Sequence, residues 1–220
     1  MSLQIQDDPI SLLMAGLERY GINPDADILA DFRIYLAELA ACPHNLTAVD
    51  DPFESVKIHF LDSLSVLQGL SFDDHSSFCD LGSGAGFPLL PLKIVRPGWN
   101  VMFIDSRNKS VEFIAQTASK MGITVKTHHG HTSELRKKNP VGQFDEVFVR
   151  ALGPVERVLE QADFLVTKAG RLVLYKGPAY AEELKAAGHL LGKKFVLEQS
   201  LKVEVPFLDR ERWIITFRKN

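Results

Sequence analysis

The chain has 220 residues, of which 45% are hydrophobic, enough to bury one sizeable core. Its two cysteines, Cys42 and Cys79, are too few and too far apart for a disulfide framework or a zinc site. Residues 1–13 have no basic leader, and no later run approaches a membrane span, so the expectation is a single domain over 1–220, cytoplasmic, with reduced thiols. The formal net charge of -3 hides an asymmetry: residues 1–78 hold 3 Lys/Arg against 13 Asp/Glu, and residues 79–220 hold 22 against 15. Such a split can steer a polyanion onto one half of the surface, or it can be an ordinary solvated helical face.

Helical periodicity comes first along the chain. Leu12, Leu13 and Leu17, then Ile28, Leu29, Phe32, Leu36 and Leu39, recur at three- and four-residue steps, and Pro43 should end the second run. A third helix is expected over 53–70, with Val56, Phe60, Leu64 and Leu67 on one stripe. His59 and Asp62 are neighbours on that helix and can either brace a binding pocket or form a docked polar face. Short apolar runs then alternate with helical stretches: strands at 77–81, 101–105, 124–127, 146–149 and 172–175, and helices at 88–95, 108–121, 155–166 and 180–191. This alternation predicts a parallel sheet with helices on both faces. Runs at 195–205 and 212–217, separated by Pro206-Phe207-Leu208-Asp209-Arg210, predict a closing β-hairpin at the sheet edge. The chain therefore divides into a helical extension over 1–75 and an α/β core over 76–220.

The segment Asp80-Leu81-Gly82-Ser83-Gly84-Ala85-Gly86-Phe87-Pro88 reads as strand, tight turn and helix, a place where bare backbone N–H groups meet an anionic or nucleotide-like ligand. Dinucleotide folds need Gly-x-Gly-x-x-Gly, whereas here Gly82, Gly84 and Gly86 are evenly spaced and Phe87 fills the third slot. With Asp80 before the loop and Asp105 lying 23 residues after Gly82, the arrangement resembles the S-adenosylmethionine loop of Rossmann-like methyltransferases. In that resemblance the glycines admit the methionine part of the cofactor and Asp105 accepts the ribose hydroxyls.

Further elements follow in order: Asn45-Leu46-Thr47, His59-Phe60-Leu61-Asp62-Ser63, the glycine loop, Asp105-Ser106 with Lys109, Phe144-Asp145, Arg150-Ala151, Lys176-Gly177, and Val205-Pro206 leading to Glu211-Arg212. Together, over 25–218, they resemble the glucose-inhibited division protein B family, bacterial methyltransferases that modify guanine N7 in 16S ribosomal RNA. The resemblance implies a class I methyltransferase fold, a seven-stranded, mostly parallel sheet with a C-terminal hairpin and an N-terminal helical cap. It also implies S-adenosyl-L-methionine as cofactor and 16S ribosomal RNA or a small-subunit precursor as partner, without membrane or metal. Cofactor contacts would fall on Gly82, Gly84, Gly86, Phe87, Asp105, Thr132, Ser133 and Arg150. The chain departs from the family at Gly130-His131-Thr132-Ser133, where a common Gly-Arg-x-Glu places a carboxylate; Glu134 can substitute only after a one-residue slip.

Attack by guanine N7 needs no general base, because the lone pair is already free; the sequence is accordingly searched for positioning groups. Arg150, at the carboxyl end of the fourth strand, is the best candidate, with a planar fork able to reach a carboxylate, a phosphate or the guanine O6/N7 edge. The plain alternative pairs it with Asp145 or Glu146. Arg107, Lys109, Lys176 and Arg212 are candidate RNA contacts beside His59 and Asp62, and Phe87 or Phe207 can stack on a base. The histidines 128, 129 and 131 do not converge as ligands, because adjacent strand residues face opposite ways. Two other activities stay open: a small-molecule methyltransferase on the same fold, and an RNA-binding assembly protein without catalysis.

Overall fold

A computed structural model describes residues 8–42 and 46–220. Pro43 and Asn45 lie outside them. The seven strands are β1 (Ser77–Leu81), β2 (Asn100–Asp105), β3 (Lys126–His129), β4 (Phe144–Arg150), β5 (Val166–Lys176), β6 (Phe195–Val203) and β7 (Arg212–Lys219). They form one sheet in the order β3-β2-β1-β4-β5-β7-β6, parallel except that β7 runs antiparallel to both β5 and β6. The hairpin thus closes the edge as expected, with its second arm inserted between β5 and the first. The order reverses between β1 and β4, which places the ligand-binding crevice of an open α/β sheet at the carboxyl ends of those strands.

Strand alternation divides the core into two. Phe78, Phe103, Phe148, Val173 and Ile214 face one side, packed beneath α1 (Pro9–Arg19), α2 (Ala26–Ala41), α5 (Leu89–Val95) and the third helical segment. Cys79, Ile104, Val147, Val149, Leu172 and Ile215 face the other, where α8 (Val155–Ala162) contributes Val158 and Leu159. Trp99 stacks on Phe78 with ring centroids 4.0 Å apart, sealing the first core below β1. The helical segments between Pro9 and Gln68 are therefore part of the wall that buries one sheet face.

Five features differ from the sequence expectation. The helix expected over 53–70 is composite: α3 (Pro52–Ser55) runs into a π turn (Val56–Leu61), α4 (Asp62–Leu64) and a 3-10 turn (Ser65–Gln68). β3 starts two residues later, because α6 (Asn108–Lys120) closes with Ile123 N–H donating to the Ala118 carbonyl at 2.9 Å, and the chain must leave that cap before pairing with β2. α8 stops at Ala162, since Val166 pairs with Phe144 and starts β5. A short helix absent from the expected elements, α7 (Thr132–Lys137), follows β3, with the His131 side chain accepting from Ser133 N–H. The 180–191 helix resolves into α9 (Tyr180–Ala186) and a 3-10 turn (Ala187–His189).

Candidate active site

The glycine loop leaves β1 at the crevice. Gly82, Gly84 and Gly86 all have positive φ, at 77°, 57° and 99°. A side chain at Gly86 would meet the Tyr35 hydroxyl at 3.0 Å and Leu90 at 3.1 Å, so its glycine serves packing against the helical cap. A side chain at Gly84 meets only the Arg107 guanidinium, at 3.6 Å, so this glycine keeps the loop backbone open. Tyr35 also donates to the Ala85 carbonyl at 2.5 Å, clamping the loop from α2.

Two carboxylates sit against this loop. Asp105, at the end of β2, accepts Gly84 N–H at 2.8 Å on Oδ2 and both Arg107 N–H at 2.8 Å and Arg107 Nε at 3.4 Å on Oδ1, which leaves a further lone pair on Oδ2. Asp80 is fully buried beneath the loop; its Oδ2 accepts Leu89 N–H at 3.1 Å and its Oδ1 has no hydrogen-bond partner among the described residues. Burial pushes the Asp80 carboxyl well above the usual range, against the pull of the Leu89 amide and Arg150. An orphaned acceptor of this kind fits a cationic ligand group. A cleft of about 120 Å³ opens alongside, lined by Gly82, Asp105, Gly130, Thr132, Leu152 and Gln161 among others.

Arg150 stands at the end of β4 as expected, but its partner is neither Asp145 nor Glu146. Asp145 is held by Ser77 and Glu146 by Arg171. Arg150 Nη1 instead donates to Asp62 Oδ2 and to the Ile58 carbonyl, each at 3.1 Å, and Nη2 lies 3.2 Å from His59 Nδ1. Asp62 is buried, and its other oxygen accepts Arg212 Nε at 2.8 Å from the start of β7. His59 is pushed down to about 3, first by burial and then by the Arg150 charge, so it is a neutral ring accepting from the arginine. The ring stacks on Phe87 at 4.7 Å, and Phe87 stacks on Tyr35 at 5.4 Å. The π turn carries His59 and abuts Asp62, so both arrive at one guanidinium from the helical cap; π insertions recur at functional sites. Arg150, Asp62, His59, Lys176, Arg210 and Arg212 line a second cleft, of about 310 Å³.

The remaining candidates scatter. Thr132 lines the first cleft at the N-terminus of α7, while the Ser133 hydroxyl lies 2.8 Å from His131 Nδ1. Arg107 and Lys109 are exposed at the rim, Arg107 with its Nε 3.4 Å from Asp105. Lys176 donates to the Gly153 carbonyl and to Glu183, each at 2.6 Å. The Phe87 ring is buried between Tyr35 and His59, so base stacking on it is closed off; it carries the Arg150 guanidinium at 4.9 Å instead. His129 Nε2 lies 3.0 Å from the Ser106 carbonyl oxygen. Sequence reasoning missed Tyr35 and the role of Asp80. Both left a signal: a tyrosine beside an apolar helix stripe needs a hydroxyl partner, and an acid inside a buried strand needs a reason.

The model of the GidB family, rRNA small subunit methyltransferase G, matches residues 28–214. A ribosomal RNA small subunit methyltransferase G from Lachnoclostridium phytofermentans is 33% identical over 216 residues, 95% of this chain and 88% of that protein. One from Deinococcus deserti is 35% identical over 216 residues, 94% and 87% of the two chains. A solved SAM-dependent methyltransferase from Aquifex aeolicus shares the fold, with a TM-score of 0.56 at 19% identity over 80% of this chain and 97% of that one. The chain therefore belongs to the GidB family, rRNA small subunit methyltransferase G.

Proposed function

We propose that this chain methylates N7 of a guanine in 16S ribosomal RNA, free or within a small-subunit precursor, using S-adenosylmethionine, and that 1–75 and 76–220 work as one catalytic unit. The observation that carries the reading is the shared wall of the two clefts. Arg150 and Ala151 line the second, Leu152 lines the first, and Ala151 holds a left-handed φ of 59°. A non-glycine residue in that conformation stores strain that surrounding structure must maintain, as happens at functional sites.

The residues present fit the cofactor. Asp80 Oδ1 suits the ammonium of its methionine part, Asp105 the ribose hydroxyls, the Gly82–Gly84 backbone the close approach, and Thr132 the adenine side. The cofactor, when bound, supplies a methyl group on a positively charged sulfur. Arg150 orients the guanine edge, held rigid by Ile58, His59 and Asp62. Neutral guanine N7 carries no proton, so none of these groups has to accept one. Alignment of donor and acceptor is the catalytic contribution, worth about 7–11 kcal/mol in effective-molarity terms. No helix among the described residues is long and apolar enough to cross a membrane, and the reading places the work in the cytoplasm.

The test is calorimetry followed by label transfer. The protein should bind S-adenosylmethionine with no comparable affinity for NAD, and should transfer labelled methyl to small-subunit RNA lacking the modification. NAD binding without S-adenosylmethionine binding would end the methyltransferase reading.

A further inference from the structure

A third cleft, of about 390 Å³, lies between the C-terminal end of α1 and the loop joining β6 to β7. Arg19, Tyr20, Gln68, Glu204, Phe207 and Asp209 line it. The loop that forms its wall continues directly into the catalytic cleft, since Asp209 faces one and Arg210 the other. The two clefts therefore share this loop as a wall.

This cleft is built, not incidental. Gln68 donates to the Glu204 carbonyl at 2.7 Å, tying the loop to the helical cap, and Tyr20, beside it, donates its hydroxyl to the Leu61 carbonyl at 3.0 Å within the cap, one residue before Asp62. Phe207 holds a left-handed φ of 64°, and its half-buried ring carries the Arg19 guanidinium at 4.3 Å from the centroid. A guanidinium lying over an aromatic ring at a cleft wall is the surface on which single-stranded RNA bases stack. The charge decides what part of RNA is taken. One cation, Arg19, faces two carboxylates, Glu204 and Asp209, an arrangement that repels a phosphate and accepts N–H donors.

We propose that this cleft is a nucleobase subsite for RNA, taking a base that flanks the methylated guanine: the base stacks on the exposed Arg19 guanidinium, which the Phe207 ring backs, and its N–H edge donates to Glu204. The inference rests on the RNA methyltransferase reading and extends it to substrate recognition. Phe207 serves as the backing of that surface, packed between the core and Arg19.

The experiment measures fluorescence anisotropy with a 16S rRNA fragment containing the methylated guanine, and methyl transfer to the same fragment. Phe207→Ala and Arg19→Ala should raise the RNA Kd and KM about tenfold, with kcat, S-adenosylmethionine affinity and Tm little changed, and Phe207→Trp should retain RNA binding. An abasic nucleotide at one position beside the guanine should reproduce the loss in the wild type and add nothing in Phe207→Ala. Unchanged Kd in both alanine variants would overturn the subsite. So would equal abasic penalties in wild type and variant, or a loss in Arg19→Ala that appears only as a shallower salt slope, which marks a phosphate contact. A wild type that binds the fragment yet transfers no methyl would count against the methyltransferase reading, while the anisotropy comparison still decides the subsite.

Discussion

Asp62 and Arg150 meet at 3.1 Å across 88 residues of sequence, joining the helical cap to the end of β4. The same carboxylate holds Arg212, so one acid fixes two cations that would otherwise repel each other. Removing one partner of a buried pair is costly because it strands the other charge, by about 3–5 kcal/mol. Asp62→Asn should therefore lower unfolding free energy by that order in denaturant titration and reduce methyl transfer more than cofactor affinity. Wild-type stability and turnover in this variant would show that Arg150 is held by other means.

The loop glycines should separate by phenotype. Gly86→Ala drives a methyl group onto the Tyr35 hydroxyl and Leu90 at a positive φ, so it should cost stability by about 1–3 kcal/mol in thermal or denaturant melts. Gly84→Val meets little protein and should instead abolish S-adenosylmethionine binding in calorimetry, with the chain still folded. Equal loss of stability in both would erase the distinction between a packing glycine and a ligand-facing one.

His59 gives the protein an acid limb. Its folded value of about 3 lies below the ordinary 6.5, so between those values the unfolded chain binds a proton that the folded chain does not. Stability is complete above pH 6.5 and falls as the pH drops toward 3, by about 1.4 kcal/mol per pH unit from this group. His59→Gln, which keeps an acceptor for Arg150, should flatten that slope by one proton in pH-dependent denaturation. An unchanged slope would mean that another group causes it.

Much of this was legible in the chain. β1 fell where its apolar run placed it, and the glycine spacing with Asp105 located the crevice. Arg150 was correctly read as a strand-end group, but its partner was not, because Asp62 lies 88 residues away and local spacing offered only Asp145 and Glu146. The π turn was invisible for a related reason: one inserted residue leaves the apolar stripe of Val56 and Phe60 intact while redirecting the polar face. Phe87 looked available for stacking because nothing in the sequence reveals that Tyr35 and His59 close over it.

RNA binding should divide among the cations by exposure. Arg107 is 59% exposed at the rim, so Arg107→Ala should weaken RNA binding and reduce its salt slope by about 1, leaving cofactor affinity nearly intact. Arg150→Ala should damage RNA binding and methyl transfer together, because it removes the guanidinium that Ile58, His59 and Asp62 hold in the second cleft. Filter binding from low to high salt distinguishes them, and identical salt slopes for Arg107→Ala and wild type would place the RNA on another face.

The most direct measurement is nucleoside mass spectrometry of 16S ribosomal RNA from cells with and without the gene, complemented by wild type or by Arg150→Ala. The account predicts one N7-methylguanine that disappears with the gene, returns with the wild type and fails to return with the variant. An unchanged N7-methylguanine content, or a lost methyl that maps to an exocyclic amine, a ribose or a pyrimidine carbon, would contradict it.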